Sequence, residues 1–264
     1  MYLINCPLKP ATGTSDPAAI FGANLTAWYK ADTGVYKDAG TTLAANNDTV
    51  QQWNDQSGNG NNLSQATAGN RPTWKSASDY NSKNGVDFLA SGVNYLTTAA
   101  QVVPSANTVI GCFVVGRMRS PATSFARAVA WTTNASLSTE DFNSTVASSL
   151  ILRDNTNNGI ATYFNSSELS IQAISLATNY RLGVVYNGAN SAKTYVNNTA
   201  STAATHSAPN FGANGALRVG AQFAAVSVTA AWDGPILEVV LVNVAPTSQN
   251  LSDLDTYFTG KWGS

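Results

Sequence analysis

Apolar residues in this chain occur in short runs that alternate with clusters of turn-forming residues. The runs are rich in β-branched residues and recur about every 8–15 residues, a spacing typical of all-β proteins. The predicted strands are 107–118, 125–133, 149–153, 160–164, 169–174, 180–186, 194–197, 217–221 and 236–243. Asn-Gly pairs at 158–159, 187–188 and 214–215 predict hairpin turns between such strands.

The C-terminal segment combines a strand with a helix. The apolar run 235–242 begins after Gly234 and is rich in β-branched residues, which predicts a strand buried on both faces. Thr247 is the predicted N-cap of a following helix, whose apolar residues recur at three- and four-residue steps. Gly260 is expected to end this helix. The pattern therefore predicts a β-sandwich closed by a short C-terminal helix.

The first 22 residues differ from the rest of the chain. They contain Pro7, Pro10 and Pro17 with small polar residues between them, which predicts an extended arm without a core of its own. Such an arm either frays or orders when it docks on a partner or a neighbouring copy. We therefore divide the chain into a docking arm, 1–22, and one β domain, 23–264.

Five segments resemble the concanavalin A-like (laminin-G-like) jelly-roll domains. They are 27–32 (Ala-Trp-Tyr-Lys-Ala-Asp), 53–62 (Trp-Asn-Asp-Gln-Ser-Gly-Asn-Gly-Asn-Asn), 86–96, 192–198 and the C-terminal segment, in which 232–238 is followed by 257–263. The resemblance implies an all-β fold, a jelly roll of two antiparallel sheets. It does not imply one activity, because this fold hosts lectins, hydrolases, lyases, adhesins and virion proteins.

The composition narrows the classes of partner. Charged residues make up 11% of the chain and the formal net charge is −1, whereas average soluble proteins are about 25% charged. Without a basic patch, neither nucleic acid nor an anionic membrane is an expected partner. No signal-peptide pattern and no run of membrane-spanning length occurs, so membrane insertion is not expected either. Glycans and other proteins remain as expected partners.

Few residues of the chain fit a known catalytic motif. The chain has three glutamates, and none lies in the Glu-x-Asp-x-x-Glu strand motif used by endoglucanases of the similar family. Glu238 comes nearest, and we expect it to be a buried glutamate that accepts hydrogen bonds from Trp, Tyr or backbone donors. The single histidine, His206, lies in a predicted loop. We therefore expect no enzymatic activity.

One loop has the spacing of a calcium site. Four oxygen-bearing residues occupy alternate positions between glycines: Asp55, Ser57, Asn59 and Asn61. Their oxygens could converge on Ca²⁺, the only cofactor that the sequence proposes. In the alternative interpretation, Asp55 and Ser57 hydrogen-bond the backbone of the turn while Gly58 and Gly60 supply unusual dihedral angles.

The tryptophans are the candidates for sugar binding, because sugar rings stack on aromatic faces. Trp53, Trp74 and Trp131 lie beside polar sequence, with Asn54 and Arg71 as candidate hydrogen-bond donors. Each of the three also fits a core or rim position. At Trp28, Trp232 and Trp262 the family resemblance implies structural roles.

The resemblance is to laminin-G-like domains that are common in phage structural proteins. Together with the low charge and the proline-rich arm, it implies a virion protein of a phage or similar particle: a decoration, fibre or tail component that displays a lectin-like domain for adhesion to glycans or a host surface. It would bind other virion proteins through the arm, assemble as a homo-oligomer, with a trimer favoured, and lie on the virion surface. The alternative is a free carbohydrate-binding module or bacterial surface adhesin. A glycoside hydrolase or lyase of the same fold is the third hypothesis.

Overall fold

The structure, a computed structural model, describes residues 15–99, 109–120, 125–132, 147–154, 159–164, 167–188, 191–205, 215–223 and 230–263. No helix in these ranges is both long and apolar enough to cross a lipid bilayer.

The described residues form mainly β-strands. In the first half they are β1 (Leu25–Lys30), β2 (Val35–Tyr36), β3 (Gln52–Trp53), β4 (Leu63–Ser64), β5 (Thr73–Lys75), β6 (Gly85–Phe88), β7 (Leu96–Thr97), β8 (Ile110–Arg117) and β9 (Arg127–Thr132). In the second half they are β10 (Ala147–Asp154), β11 (Gly159–Phe164), β12 (Ser167–Ala173), β13 (Asn179–Tyr186), β14 (Ser191–Val196), β15 (Thr199–Ala200), β16 (Ala204–Thr205), β17 (Ala216–Val219) and β18 (Gly234–Val242). The helices are α1 (Pro17–Phe21) and α2 (Ser248–Trp262). Every strand predicted from the sequence coincides with one of these strands.

The strands form two antiparallel sheets. The first sheet has the order β15-β14-β13-β8-β18-β6-β5, with β1 also paired to β18 and β16 to β14. The second sheet has the order β12-β11-β10-β9-β17-β7-β4-β3-β2. The prediction of an all-β, two-sheet antiparallel jelly-roll sandwich with a C-terminal helix is therefore confirmed.

The first sheet is covered on both faces, as β18 illustrates. Its residues are all buried. Val239 and Leu241 point into the core between the sheets, whereas Val240 and Val242 pack beneath α2. This alternation confirms the prediction of a strand buried on both faces, and each fully buried side chain of this size contributes about 1.5–3 kcal/mol.

Helix α2 starts where the sequence predicts and ends later. The Thr247 side chain accepts from the Asn250 backbone N–H at 3.1 Å, and Asn250 Oδ1 accepts from the Thr247 backbone N–H at 3.0 Å. The expected end at Gly260 is wrong, because the helix continues to Trp262 and stops at Gly263, whose φ is +70°. The buried Trp262 side chain holds this extra turn against the first sheet.

The described part of the predicted arm is helical rather than extended. Asp16 Oδ1 accepts from the Ala19 backbone N–H at 2.9 Å, and Pro17 opens helix α1, where its fixed φ suits the first turn. Phe21 is buried in the cluster beneath α2. Residues 1–14 of the predicted docking arm, 1–22, lie outside the described residues, and docking of the arm on a partner stays a prediction.

Candidate functional site

Glu238 is a structural carboxylate beneath helix α2. It is 0% exposed, and its oxygens accept from the Trp28 and Trp262 indole N–H groups at 2.5 and 2.6 Å. Lys261 Nζ lies 3.1 Å from Oε2 and 3.3 Å from Asp32 Oδ2. Glu238 thereby links β18, β1 and α2, which confirms the expected buried glutamate with tryptophan donors.

Burial dominates the electrostatics of this carboxyl group. It raises the pKa of Glu238 above the ordinary value, while the charge of Lys261 and the two indole hydrogen bonds oppose the rise. The group faces the packed interior rather than a cleft. Its chemistry is therefore that of a structural anchor for α2.

The loop around Asp55 uses its carboxylate to fix the backbone. Oδ1 accepts from the backbone N–H groups of Trp28 and Ser57, each at 2.9 Å. Oδ2 accepts from the Ser57 hydroxyl at 2.7 Å and from the Asn61 backbone N–H at 3.0 Å. These contacts agree with the interpretation in which Asp55 and Ser57 stabilise the turn.

The remaining predicted calcium ligands point amide groups at the backbone. Asn59 Nδ2 donates to the Leu25 and Thr26 carbonyls at 2.9 and 3.0 Å, and Asn61 Nδ2 donates to Thr26 at 3.0 Å. Gly58 and Gly60 have φ of +90° and +76°, as the turn interpretation requires. The described residues contain no group of three or more His, Cys, Asp or Glu side chains arranged for a metal. Calcium binding therefore stays a prediction.

The predicted sugar-stacking tryptophans lie in or against the core. Trp53 is 0% exposed and Trp131 is 1% exposed, so neither offers a ring face to a sugar. Trp53 Nε1 donates to the Lys30 carbonyl at 2.9 Å, and the partly buried Trp74 donates to the Ala31 carbonyl at 2.7 Å. The core alternative is the one that fits their burial.

The structural roles implied for the other three tryptophans agree with their burial. The exposed fractions are 5% for Trp28, 0% for Trp232 and 2% for Trp262.

Arg71 and Asn54, the two polar residues predicted to bind a sugar, have different surroundings. Arg71 donates from Nε to the Gln65 carbonyl at 2.9 Å and from Nη2 to the Ala66 carbonyl at 2.8 Å, so its guanidinium group fixes a loop. Asn54 is partly exposed, and its Oδ1 accepts from Gln52 Nε2 at 2.7 Å. Asn54 thus contacts Gln52 on the outer face of the second sheet.

A row of polar side chains crosses that face of the second sheet. Strand pairing aligns Tyr36 with Gln52, Gln52 with Ser64, Ser64 with Thr97, and Thr97 with Arg218. Ser64 is exposed, whereas Tyr36, Gln52 and Thr97 are partly exposed. Since adjacent strands lie about 4.8 Å apart, the four residues from Tyr36 to Thr97 span about 14 Å. We call these four residues the polar row.

Alternation explains why the polar row faces outward. The neighbouring residues along the same strands are Val35, Trp53, Leu63 and Leu96, all buried in the core between the sheets. Successive strand residues point to opposite faces, so the polar row must point away from that core. Sequence reasoning missed the row because β2, β3, β4 and β7 contribute only two residues each.

The loop after β2 extends the polar row with an apolar side chain. Leu43 pairs with Tyr36 through an isolated β-bridge and is 63% exposed. The loop is fixed by Asp38, which accepts from the Thr41 and Thr42 backbone N–H groups at 2.8 and 2.9 Å. Hydrogen bonds from the Thr42 side chain and from these backbone groups lower the pKa of Asp38 to about 2. The ionised carboxylate therefore holds Leu43 beside Tyr36 at ordinary pH.

The inner end of the row is occupied by a stacked guanidinium group. Arg218 lies 4.3 Å from the ring centroid of Tyr95 and 4.2 Å from that of Phe223. It is 5% exposed, and Nη1 donates to the Gln222 carbonyl at 2.8 Å. This end is closed, so a ligand on the face would contact the half formed by β2, β3, β4 and β7.

A carboxylate cluster also forms near the edge of the first sheet, beside a polar depression of about 330 Å³. Arg119 lies between the acids, 2.7 Å from Asp87 Oδ1, 3.1 Å from Asp79 Oδ2 and 3.5 Å from Asp233 Oδ1. Burial raises the pKa of Asp87, and the bond from Arg119 opposes that rise. The cluster is an ion-pair network centred on one arginine.

The fold of this chain is similar to that of several proteins of known structure. No model of a known protein family matches the sequence, and no curated protein sequence matches it either. The solved structure of domain 4 of AbnA, a GH43 extracellular arabinanase from Geobacillus stearothermophilus in complex with arabinotriose, superposes with a TM-score of 0.57 at 14% identity. That match covers 88% of this chain and 98% of the domain.

A second group of matches comes from larger proteins. Trypanosoma rangeli sialidase in complex with sialic acid matches with a TM-score of 0.58 at 10% identity, over 97% of this chain and 36% of the sialidase chain. A mutant of the same sialidase displaying trans-sialidase activity matches with a TM-score of 0.56 at 11% identity, over 94% and 35% of the two chains. This chain thus spans about a third of the sialidase length.

At these identities the likeness establishes a shared β-sandwich fold. The arabinanase and sialidase matches do not bear on a virion role, so the virion role, the trimer and the surface localisation stay predictions from sequence.

Proposed function

We propose that this domain is a non-catalytic carbohydrate-binding module that binds a neutral oligosaccharide on the outer face of its second sheet. The observation that carries the proposal is the polar row Tyr36, Gln52, Ser64 and Thr97. These side chains provide hydroxyl and amide groups on a rigid surface, and Tyr36 adds an aromatic ring. Sugar sites combine such polar groups with an aromatic platform.

The size and charge of the face support a neutral ligand. Its length of about 14 Å suits several sugar units in line rather than one enclosed ring. The polar row itself carries no ionised side chain, so binding would depend on hydrogen bonds and ring contact. That domain 4 of the arabinanase, matched over almost its whole length, was solved with arabinotriose also supports an oligosaccharide ligand.

The test starts with a glycan array and continues by calorimetry with the best neutral oligosaccharide. We expect Tyr36→Ala and Gln52→Ala each to raise Kd about five- to tenfold, the loss typical of a contact residue in a binding site. The melting temperatures should stay close to that of the parent, because both side chains are partly exposed.

Gln249→Ala is the matched control. Gln249 is an exposed glutamine on α2, which covers the first sheet, so its replacement should leave Kd unchanged. Absence of glycan binding on the array, or equal loss of affinity in Gln249→Ala and Gln52→Ala, would overturn the proposal.

A further inference from the structure

We propose a second binding site, for a single carboxylate-bearing sugar unit such as a uronic acid, in the groove between β14 and the segment that leads into α2. The groove has a volume of about 280 Å³ and is lined by Val185, Asn187, Ser191, Lys193, Tyr195, Ala245 and Pro246. It lies on the outer face of the first sheet. It is therefore separate from the polar row and does not depend on the function proposed there.

The alternation of β14 builds one wall of the groove. Ala192 and Thr194 are 1% and 0% exposed and point into the sandwich. Ser191, Lys193 and Tyr195 point to the opposite face, spaced about 7 Å apart along the strand. A hydroxyl group, an ammonium group and a phenol ring thus stand in one line above the sheet.

Strand β13 supplies an apolar floor. Val185 lies opposite Lys193 and Gly183 lies opposite Tyr195 in the strand register. A Cβ atom at Gly183 would lie 2.6 Å from Phe113 Cδ1, so glycine is what allows the Phe113 ring to fill this space. Of these two positions on β13, only Val185 lines the groove itself.

The segment before α2 forms the opposite wall. Ala245 and Pro246 are partly exposed and line the groove across from β14. The capping hydrogen bonds between Thr247 and Asn250 fix where the helix starts, and with it the position of this wall. The groove is therefore bounded by two rigid elements, as expected for a preformed small-molecule site.

Charge selects an acidic ligand. Lys193 carries the only charge among the described residues that line the groove, and its side chain is exposed. Arg181, a cation on the neighbouring strand β13, forms a salt bridge of 2.6 Å to Asp255. An ammonium group at the mouth of a groove attracts a carboxylate through a charge-assisted hydrogen bond.

The ring and the polar groups select a sugar over a simple anion. Tyr195 is half-buried and presents an aromatic surface of the kind on which one apolar face of a pyranose packs. Burial raises the pKa of its hydroxyl, so the group stays neutral and able to donate near neutral pH. Ser191 and Asn187 add hydroxyl and amide groups at the same rim. The cavity is small for a ligand site, which fits one sugar ring.

The test is a two-dimensional NMR titration of the ¹⁵N-labelled full chain with sodium D-glucuronate. We expect shift changes at the amides of 191–196 and 244–245. D-glucose and sodium acetate at equal concentration should perturb these amides much less, because each supplies only one of the two interactions. Lys193→Gln should raise the glucuronate Kd about tenfold, the effect of losing one charge-assisted hydrogen bond.

Lys37→Gln and Tyr36→Ala serve as controls, and two variants of Tyr195 test the contribution of the ring. Lys37→Gln removes an exposed lysine from the loop that follows β2 and should leave Kd unchanged. Tyr195→Phe keeps the ring and should retain most of the affinity, whereas Tyr195→Ala should lose it. Tyr36→Ala, which weakens the polar row, should not alter glucuronate binding.

No shift change in the groove, an equal response to acetate, or an unchanged Kd in Lys193→Gln would each overturn the second site. A thermal melt of each variant establishes that it is folded.

Discussion

At the residue scale, Glu238 shows how one buried acid can hold three elements together. A carboxylate that is fully buried is unfavourable unless donors surround it, and here two indoles and an ammonium group do so. The donors come from both β1 and α2. Their arrangement around a single side chain explains why the helix lies where it does.

Replacement of Glu238 tests this role. Glu238→Gln keeps the shape but turns an N–H₂ group toward a donor, so we expect the free energy of unfolding to fall by roughly 1–3 kcal/mol. Urea denaturation measures the loss. The control is Gln249→Ala, an exposed change on α2, which should leave stability within about 0.5 kcal/mol.

The raised pKa of Glu238 predicts that the effect of Glu238→Gln on stability depends on pH. Because the pKa of Glu238 is higher in the folded than in the unfolded chain, the folded state binds more protons between these two values. The free energy of unfolding contributed by this group is thus greatest below the unfolded pKa of ~4.3 and decreases as pH rises toward the folded pKa. The difference between parent and Glu238→Gln should shrink over that interval. A difference independent of pH would contradict the raised pKa.

Asp55 gives a second residue-level prediction, which also tests calcium. Its oxygens accept from four donors within the loop and β1, so Asp55→Asn should destabilise the fold by roughly 1–3 kcal/mol. With these oxygens engaged, we expect the melting temperature of the parent to be the same in millimolar calcium and in chelator. A rise of several degrees in calcium would support the metal site instead.

At the element scale, local sequence signals predicted the start of helix α2 but not its end. The Thr247 cap was predictable because it depends on residues three positions apart. The end of the helix was not, because glycine tolerates helical dihedral angles and the burial of Trp262 favours one more turn. Gly263, with its positive φ, ends the helix instead.

The position of Gly260 inside helix α2 leads to a prediction about stability. An added Cβ at Gly260 would meet no atom within 4 Å, and alanine favours the helix, so Gly260→Ala should stabilise the protein by about 1 kcal/mol. Gly263→Ala is the matched control and should destabilise it, because its φ of +70° is unfavourable for alanine. Thermal melts of both variants measure the difference. Equal effects would contradict the observed helix end.

At the scale of the whole molecule, the sandwich depends on large aromatic residues from both sheets. Trp53 packs against Tyr29 with ring centroids 5.9 Å apart, and its indole donates to Lys30. Trp53→Ala should therefore lower the free energy of unfolding by about 3–5 kcal/mol. Tyr36→Ala, one strand away on the other face, should lower it far less. A larger loss of stability in Tyr36→Ala than in Trp53→Ala would place Trp53 at a surface and Tyr36 in the core.

The amino-acid pattern alone predicted the elements whose signals are local. The β-branched runs predicted strands β8 to β14, β17 and β18 but not β1, the Thr247 cap predicted the start of α2, and the setting of Glu238 predicted its buried role. These features follow from the conformational preferences of neighbouring residues and from alternation within one strand.

The residues that share a surface follow from long-range strand pairing and could not be predicted from local patterns. The polar row joins Tyr36, Gln52, Ser64 and Thr97 across four strands of two residues each, too short to give a periodic signal. The groove joins β14 to the segment before α2, and Trp53 and Trp131 became core residues although polar residues flank them. Pairing between distant segments sets these positions, because it fixes which face of each strand meets the opposite sheet and which meets solvent.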